Sequence, residues 1–226
     1  MTTRDDGGGA RVLAPWWVYA PQHDTRLLTQ ALDRERLDAA AAVLDVGTGS
    51  GALALAAARR GARVTAVDRT YRAVLAARLN ARIARLPVEV LHGDLFGPVT
   101  GRRFDLVVSN PPYVPTPGPV PRRHRAAMAW DAGADGRLLL DRICRRAHTS
   151  LRPGGVLLLV HSTLCGIAPT LAALERSGLE ARVTDRRLVP FGPVLRSRAP
   201  WLRAQGLVDA DEEKEELVIV RAERTR

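Results

Sequence analysis

The run Ala42-Val43-Leu44-Asp45-Val46-Gly47-Thr48-Gly49-Ser50-Gly51 constrains the fold more than any other stretch of the chain. Four of its first five residues are apolar, the pattern of a short strand buried on both faces. Evenly spaced glycines follow, then an alanine- and leucine-rich segment with helical character. A strand that enters a helix through a glycine turn is half of a parallel crossover unit, so further strands must lie alongside it.

The rest of the chain supplies them. Arg63–Asp68 reads as the next strand and Arg72–Leu86 as a helix stopped by Pro87. Val88–Leu91 and Phe104–Val108 are further strands, each ending in a polar loop. A helix containing Leu138, Leu139 and Ile143 leads through Pro153-Gly154-Gly155 into the apolar strand Val156–Val160. A helix near Pro169–Arg176 and strands over Leu179–Leu188 and Glu216–Val220 complete the series. Strands alternating with helices predict an α/β chain: a mainly parallel sheet covered on both faces. Residues 1–14, with three consecutive glycines, are expected to be a disordered leader, and residues 15–226 one domain. Within it, 15–40 form an aromatic-rich arm and helix, with Asp24 or Thr25 as cap. Residues 186–206 form a basic excursion between the last two strands, expected as a surface hairpin with Phe191 and Trp201 packed inward.

Composition narrows the functional classes. No apolar run approaches the ~18 residues that a membrane span needs, and the first residues lack the basic-then-apolar order of a secretory signal. Cys144 and Cys165 stand apart from each other and from any metal-ligand spacing, as expected for reduced core thiols in the cytoplasm. The net charge of +10 would suit a nucleic-acid partner, but the arginines are spread along the chain, the pattern of a solvated surface.

Two polar constellations remain. Asp45 and Gly47, Gly49 and Gly51 form D-x-G-x-G-x-G, where backbone can approach a ligand at a helix start. Asp68 closes the second strand, about 20 residues on, the place of an acid that holds ribose hydroxyls. Asp94 ends the third strand and could meet an adenine amino group. Asp45, inside an apolar strand, needs a partner: a bound ammonium group or the loop's own N–H groups. Three acids at three successive strand ends suit an adenosyl ligand. The second constellation is Asn110-Pro111-Pro112-Tyr113, just beyond a strand's carboxyl end. Its chemistry suits a planar NH₂ group. The Asn110 carboxamide oxygen and the Pro111 carbonyl can accept both N–H groups, leaving the lone pair to point at a methyl donor. Each proline holds its predecessor extended, and Tyr113 offers a flat face for stacking. A proline-rich turn would account for the same four residues without chemistry.

The pairing of D-V-G-T-G-S-G with S-N-P-P-Y, together with W-D-A-G-A-D-G at Trp130–Gly136, resembles the HemK/PrmC family of class I S-adenosylmethionine-dependent methyltransferases, over Tyr19–Val220. The resemblance implies a Rossmann-like seven-stranded sheet with an antiparallel last strand, and S-adenosyl-L-methionine as cofactor. It implies cofactor contacts from Thr25, Asp45, Gly47, Gly49, Gly51, Asp68, Asp94, Leu95 and Asn110, and no metal. It places Asn110, Pro111, Pro112 and Tyr113 at the catalytic centre, with the substrate amide between Tyr113 and the loop bearing Trp130. Thr25 matches an arm motif, P-x-E-D-T, in which His23 here replaces the glutamate. The short arm is similar to the eukaryotic and archaeal-like branch, which implies a peptide chain release factor as protein substrate, its G-G-Q glutamine as target, and a small zinc-binding activator subunit as partner. Adenine N6 in DNA or RNA and small-molecule amines present the same planar nitrogen and stand as alternative substrates, and a non-catalytic binding subunit as the alternative outside enzymes.

Overall fold

The computed structural model describes residues 2–5, 11–15, 18–118 and 132–225. Trp16, Trp17 and Trp130, placed above in the arm and beside the substrate, lie outside them. The expected α/β alternation is present. Strands β3 (Ala42–Val46), β4 (Arg63–Asp68), β5 (Val88–His92), β6 (Phe104–Ser109), β7 (Leu151–Ser162), β8 (Leu179–Pro190) and β9 (Lys214–Arg224) form one sheet in the order β5-β4-β3-β6-β7-β9-β8. The pairings from β5 to β7 are parallel, and β9 runs antiparallel to both its neighbours. Helices α1 (His23–Arg34), α2 (Ala52–Arg59), α3 (Tyr71–Ala84), α4 (Leu138–Ser150) and α5 (Ile167–Arg176) pack around it.

Local sequence explains the close packing at the centre. The small, apolar side chains of α2 bury nearly its whole length. Gly51, at its start, has φ +88°, and a Cβ there would stand 3.2 Å from the Cβ of Ala77 in α3. A side chain would be strained both by the backbone and by its neighbour. The chain leaves β3 outward through β4 and β5, then returns to place β6 on the other side of β3. That reversal opens a crevice at the carboxyl ends of β3 and β6, where ligands of open α/β sheets sit. The Ser109 hydroxyl, donating to the Val46 carbonyl at 2.7 Å, pins the two ends together.

Two expectations are corrected. The first fourteen residues are not simply a leader: β1 (Thr2–Asp5) pairs antiparallel with β2 (Arg11–Ala14). Val12 and Ala14 are buried, Val12 against Ala52, Leu55 and Ala81. Asn80 of α3 receives the Leu13 N–H at 3.0 Å and donates to the Leu13 carbonyl at 2.8 Å. Short apolar residues beside a glycine run gave little periodicity, so the pairing rests on a distant asparagine. The excursion at 186–206 is also not a hairpin. Its centre is helix α6 (Pro193–Ala204), which starts on a proline suited to that position and tolerates Pro200. Leu195, Ala199 and Leu202 fall on one face and close a small core with Phe191 and Val208, and Trp201 packs partly buried against it. Several of its arginines bond backbone carbonyls: Arg196 that of Phe191, Arg198 that of Val114, Arg203 that of Glu212. The prolines obscured a helical spacing that was nonetheless present.

Candidate active site

A single cavity occupies the crevice and joins the two constellations. Its wall includes Gly47, Thr48, Gly49 and Asp68 on one side and Asn110 to Tyr113 on the other. Thr25, Asp94, Leu95 and Glu215 also line it, and α6 contributes Pro193 to Leu195 at its edge.

The glycine turn is held by backbone. The N–H groups of Gly47 and Thr48 both donate to the Val67 carbonyl, at 2.9 and 3.0 Å. Gly47 and Gly49 have φ of +75° and +55°, and nothing stands within 4 Å of where their Cβ atoms would be. The result is an open cradle floored by main chain, a fit for a ligand that must approach closely. Asp68 is anchored beside it: one oxygen accepts the Gly49 N–H at 3.0 Å and the other the N–H and hydroxyl of Thr70. The Gly93 N–H donates to the Asp68 carbonyl at 2.9 Å, which brings Asp94 and Leu95 to the same rim. Leu95 takes φ +47°, unusual for a branched side chain. Asp94 is already half-exposed in an ion pair with Arg142 of α4.

Asp45 has a structural role, but its partners are a loop hydroxyl and an N–H of α2 rather than the loop's own N–H groups. It is fully buried beneath the turn and does not line the cavity. Its Oδ2 accepts from the Thr48 hydroxyl at 2.6 Å and from the Ala54 N–H at 3.1 Å, while Oδ1 has no partner. Burial pushes this carboxyl from 3.8 up to about 7, against the pull of those two bonds.

On the opposite side the geometry is assembled from distant segments. The Asn110 Nδ2 donates to the Thr25 hydroxyl at 3.2 Å, 85 residues away in sequence, which orients the carboxamide. Tyr113 is 8% exposed. Its hydroxyl donates to Asp24 Oδ2 at 3.2 Å, and the Tyr19 hydroxyl donates to the same oxygen. Burial, and then the Asp24 charge, hold the Tyr113 phenol well above its ordinary range, hence neutral. Asp24 is not a helix cap. It lies in the first turn of α1 after Gln22, and its Oδ1 accepts the Thr25 N–H. Behind Tyr113, the Cys165 thiol donates to the Tyr113 carbonyl at 3.0 Å. Gly136 has φ +74°, and a Cβ there would fall 2.2 Å from that carbonyl oxygen. The glycine ending W-D-A-G-A-D-G is therefore a seat for Tyr113. Sequence reasoning found that motif but not this contact, and it missed Asp24, Tyr19 and Glu215 as members of the site.

The comparisons with known proteins bear on this arrangement. Residues 21–119 match the family described as methyltransferase small domain, a span holding the arm threonine, the glycine turn and Asn110 to Tyr113. A Methanocaldococcus jannaschii protein provisionally named a protein N5-glutamine methyltransferase is 35% identical over 77% of this chain and 87% of its own length. This chain belongs to the HemK/PrmC methyltransferase family. Another member, the release factor glutamine methyltransferase of Deinococcus radiodurans, is 38% identical over 91% of this chain and 73% of its own length. The Mtq2 chain of the E. cuniculi Mtq2–Trm112 complex, which methylates the termination factor eRF1, superposes with a TM-score of 0.64 at 26% identity. That match covers 92% of this HemK/PrmC chain and 99% of its counterpart. As in the family generally, the enzyme is a methyltransferase. Among its described residues no helix is long and apolar enough to cross a membrane.

Proposed function

We propose that this protein transfers the methyl group of S-adenosyl-L-methionine to the side-chain amide nitrogen of a glutamine in a peptide chain release factor. The observation that carries the reading is the continuity of one cavity from the glycine cradle to Asn110–Tyr113. The similarity to enzymes named for release-factor glutamine methylation supports the substrate.

In this reading Gly47 and Gly49 give the cofactor a main-chain floor, Asp68 takes its ribose hydroxyls, and Asp94 and Leu95 flank its adenine. Thr25 and Asn110 close over the reacting end. Asp45, out of reach of the cavity, acts only through Thr48 and the start of α2. When bound, S-adenosyl-L-methionine supplies an electrophilic methyl carbon. The chain's own task is then orientation. The Asn110 Oδ1 and the Pro111 carbonyl accept the two amide N–H groups, and the neutral Tyr113 ring backs the amide plane. The nitrogen lone pair is left aimed at the methyl carbon. Alignment and exclusion of water lower the barrier more than any strong base does. The reaction would take place in the cytoplasm, where release factors act, with a small activator subunit of the kind seen beside Mtq2.

The test is incubation of the purified protein, with any subunit that accompanies it from its own cell, with methyl-labelled cofactor and a release factor bearing a G-G-Q loop. Label on the loop glutamine, abolished when that glutamine is replaced by alanine, is the expected result. Label that instead enters RNA or DNA in the same mixture defeats the protein-substrate reading.

A further inference from the structure

The chain around Tyr113 is short of donors of its own. Pro111, Pro112, Pro115 and Pro117 all fall within it, and a proline has no N–H to give. Such a segment is fixed largely through carbonyls that accept from elsewhere. Three successive carbonyls do so here. That of Tyr113 accepts from the Cys165 thiol at 3.0 Å. Those of Val114 and Pro115 accept from one nitrogen, Nη1 of Arg198, at 2.7 and 3.1 Å. Thr116 anchors the far end, its N–H and hydroxyl both donating to the Gly133 carbonyl, at 2.9 and 3.0 Å.

Arg198 belongs to α6, whose first residues, Pro193 to Leu195, line the same cavity as Asn110 to Val114. The Val114 side chain packs against both the main core and the small core of α6. Gly192, just before α6, lies close to the arm: a Cβ there would stand 3.2 Å from Oε1 of Gln22, which precedes α1. Helix α6 therefore meets the loop after Tyr113 and the entry to α1 at once. A guanidinium bonded to two adjacent carbonyls is a charge-assisted clamp that fixes both peptide planes. The prolines on either side leave those planes little freedom to compensate if the clamp is lost.

We propose that Arg198 is a positioning residue for the methyl transfer: by holding the Val114 and Pro115 carbonyls against α6, it sets where the Tyr113 ring and the Pro111 carbonyl stand relative to the glycine cradle. This inference rests on the glutamine-methylation reading. Arg198 does not itself line the cavity, so it acts only through the loop. A misplacement of about 1 Å in the groups that align a substrate costs about 100-fold in rate. The cradle on the opposite wall is held separately, by the Val67 carbonyl and by Asp68. Loss of the clamp therefore falls on kcat and spares cofactor binding.

The test compares wild type with Arg198→Met, which keeps an apolar stem and removes the donors, and with Arg198→Lys, which restores a charged nitrogen. Because one nitrogen serves both carbonyls, an ammonium group can replace it in part. On a release factor with a G-G-Q loop, kcat should fall about 100-fold in Arg198→Met. Arg198→Lys should recover about tenfold of that loss, and Kd for the cofactor should stay near the wild-type value in both. A wild-type kcat in Arg198→Met, a loss matched by an equal loss of cofactor affinity, or a lysine variant no better than the methionine one overturns the proposal. A second measurement needs no substrate. The chain has three tyrosines. In fluorotyrosine-labelled protein the Tyr113 resonance, assigned through Tyr113→Phe, should shift in Arg198→Met and return part-way in Arg198→Lys, while that of Tyr71, exposed on α3, stays in place. An unmoved Tyr113 resonance also overturns it. Should Arg198→Met fail to fold, Arg198→Lys decides alone: a kcat about tenfold below wild type with a shifted resonance is the expected result, and wild-type values overturn the proposal. If wild type labels no glutamine at all, the methylation reading falls and takes this role with it; if Arg198→Met labels as fast as wild type, only the Arg198 role falls.

Discussion

The two sides of the cavity are built on different plans. The side proposed to hold the cofactor comes from contiguous chain: β3, its glycine turn, α2 and the end of β4 lie within 27 residues, Ala42–Asp68. Its polar groups bond to one another at short sequence range, as Asp45 to Thr48 and Asp68 to Thr70 do. The opposite side, proposed to take the substrate, gathers Tyr19, Asp24, Thr25, Asn110, Tyr113 and Glu215 from the arm, α1, the loop after β6 and the last strand. Here bonds span 85 and 89 residues. A local unit can be kept through substitutions elsewhere, whereas the far wall depends on the whole sheet being closed correctly.

Several measurements would break or sharpen that contrast. The largest effect is expected at Asn110→Ala, which removes the acceptor for the amide and the link to Thr25. Turnover should fall by about 10²–10³, while calorimetry shows cofactor affinity nearly intact. Equal losses in both would mean that the two walls are not separable. Asp68→Ala should do the reverse, weakening cofactor binding by about 10- to 100-fold, with turnover at saturating cofactor close to wild type.

Asp45→Asn probes the floor of the turn through pH. The folded protein holds the Asp45 proton more tightly than the unfolded chain does, since its carboxyl stands near 7 rather than 3.8. Its contribution to stability is therefore whole below about 3.8 and is lost as pH rises through about 7. Without cofactor, the asparagine variant should melt a few degrees above wild type at pH 8 and close to it near pH 4, as read by calorimetry. The smallest effect is expected at Tyr19→Phe, which deletes one of two phenols on Asp24 and should lower turnover about threefold without altering cofactor affinity.

The same contrast governs what could be read from the chain unaided. The strand–glycine–helix unit and the alternation of the sheet were legible because periodicity and glycine spacing are local signals, while the antiparallel β9 came only from the family resemblance. Of the residues expected to meet the cofactor, Gly47, Gly49, Asp68, Asp94 and Leu95 line the cavity, whereas Asp45 and Gly51 do not, since one strand and its turn cannot show which side chains lie beneath the turn. Asn110 to Tyr113 were visible as a motif. Asp24 and Glu215 were not, because nothing near either one in sequence marks it as facing Tyr113. Gly136 lay in a recognisable run, but the carbonyl it makes room for is more than twenty residues earlier. The helix at 193–204 was hidden by Pro193 and Pro200, whose positions suit a helix start and a tolerated interior site only once Leu195, Ala199 and Leu202 are seen to face one core.

The Asn80 side chain reaches further than its size suggests. One of its hydrogens meets the Leu13 carbonyl and another the Ser50 carbonyl within the glycine turn, both at 2.8 Å. Strand β2 is thus tethered, through a single carboxamide, to the underside of the glycine turn. Trimming the gene to begin after residue 14 would look harmless on a gel, yet it would loosen a latch behind the ligand. Shortened versions of this enzyme should be judged by how firmly they grip their methyl donor, not by how well they express.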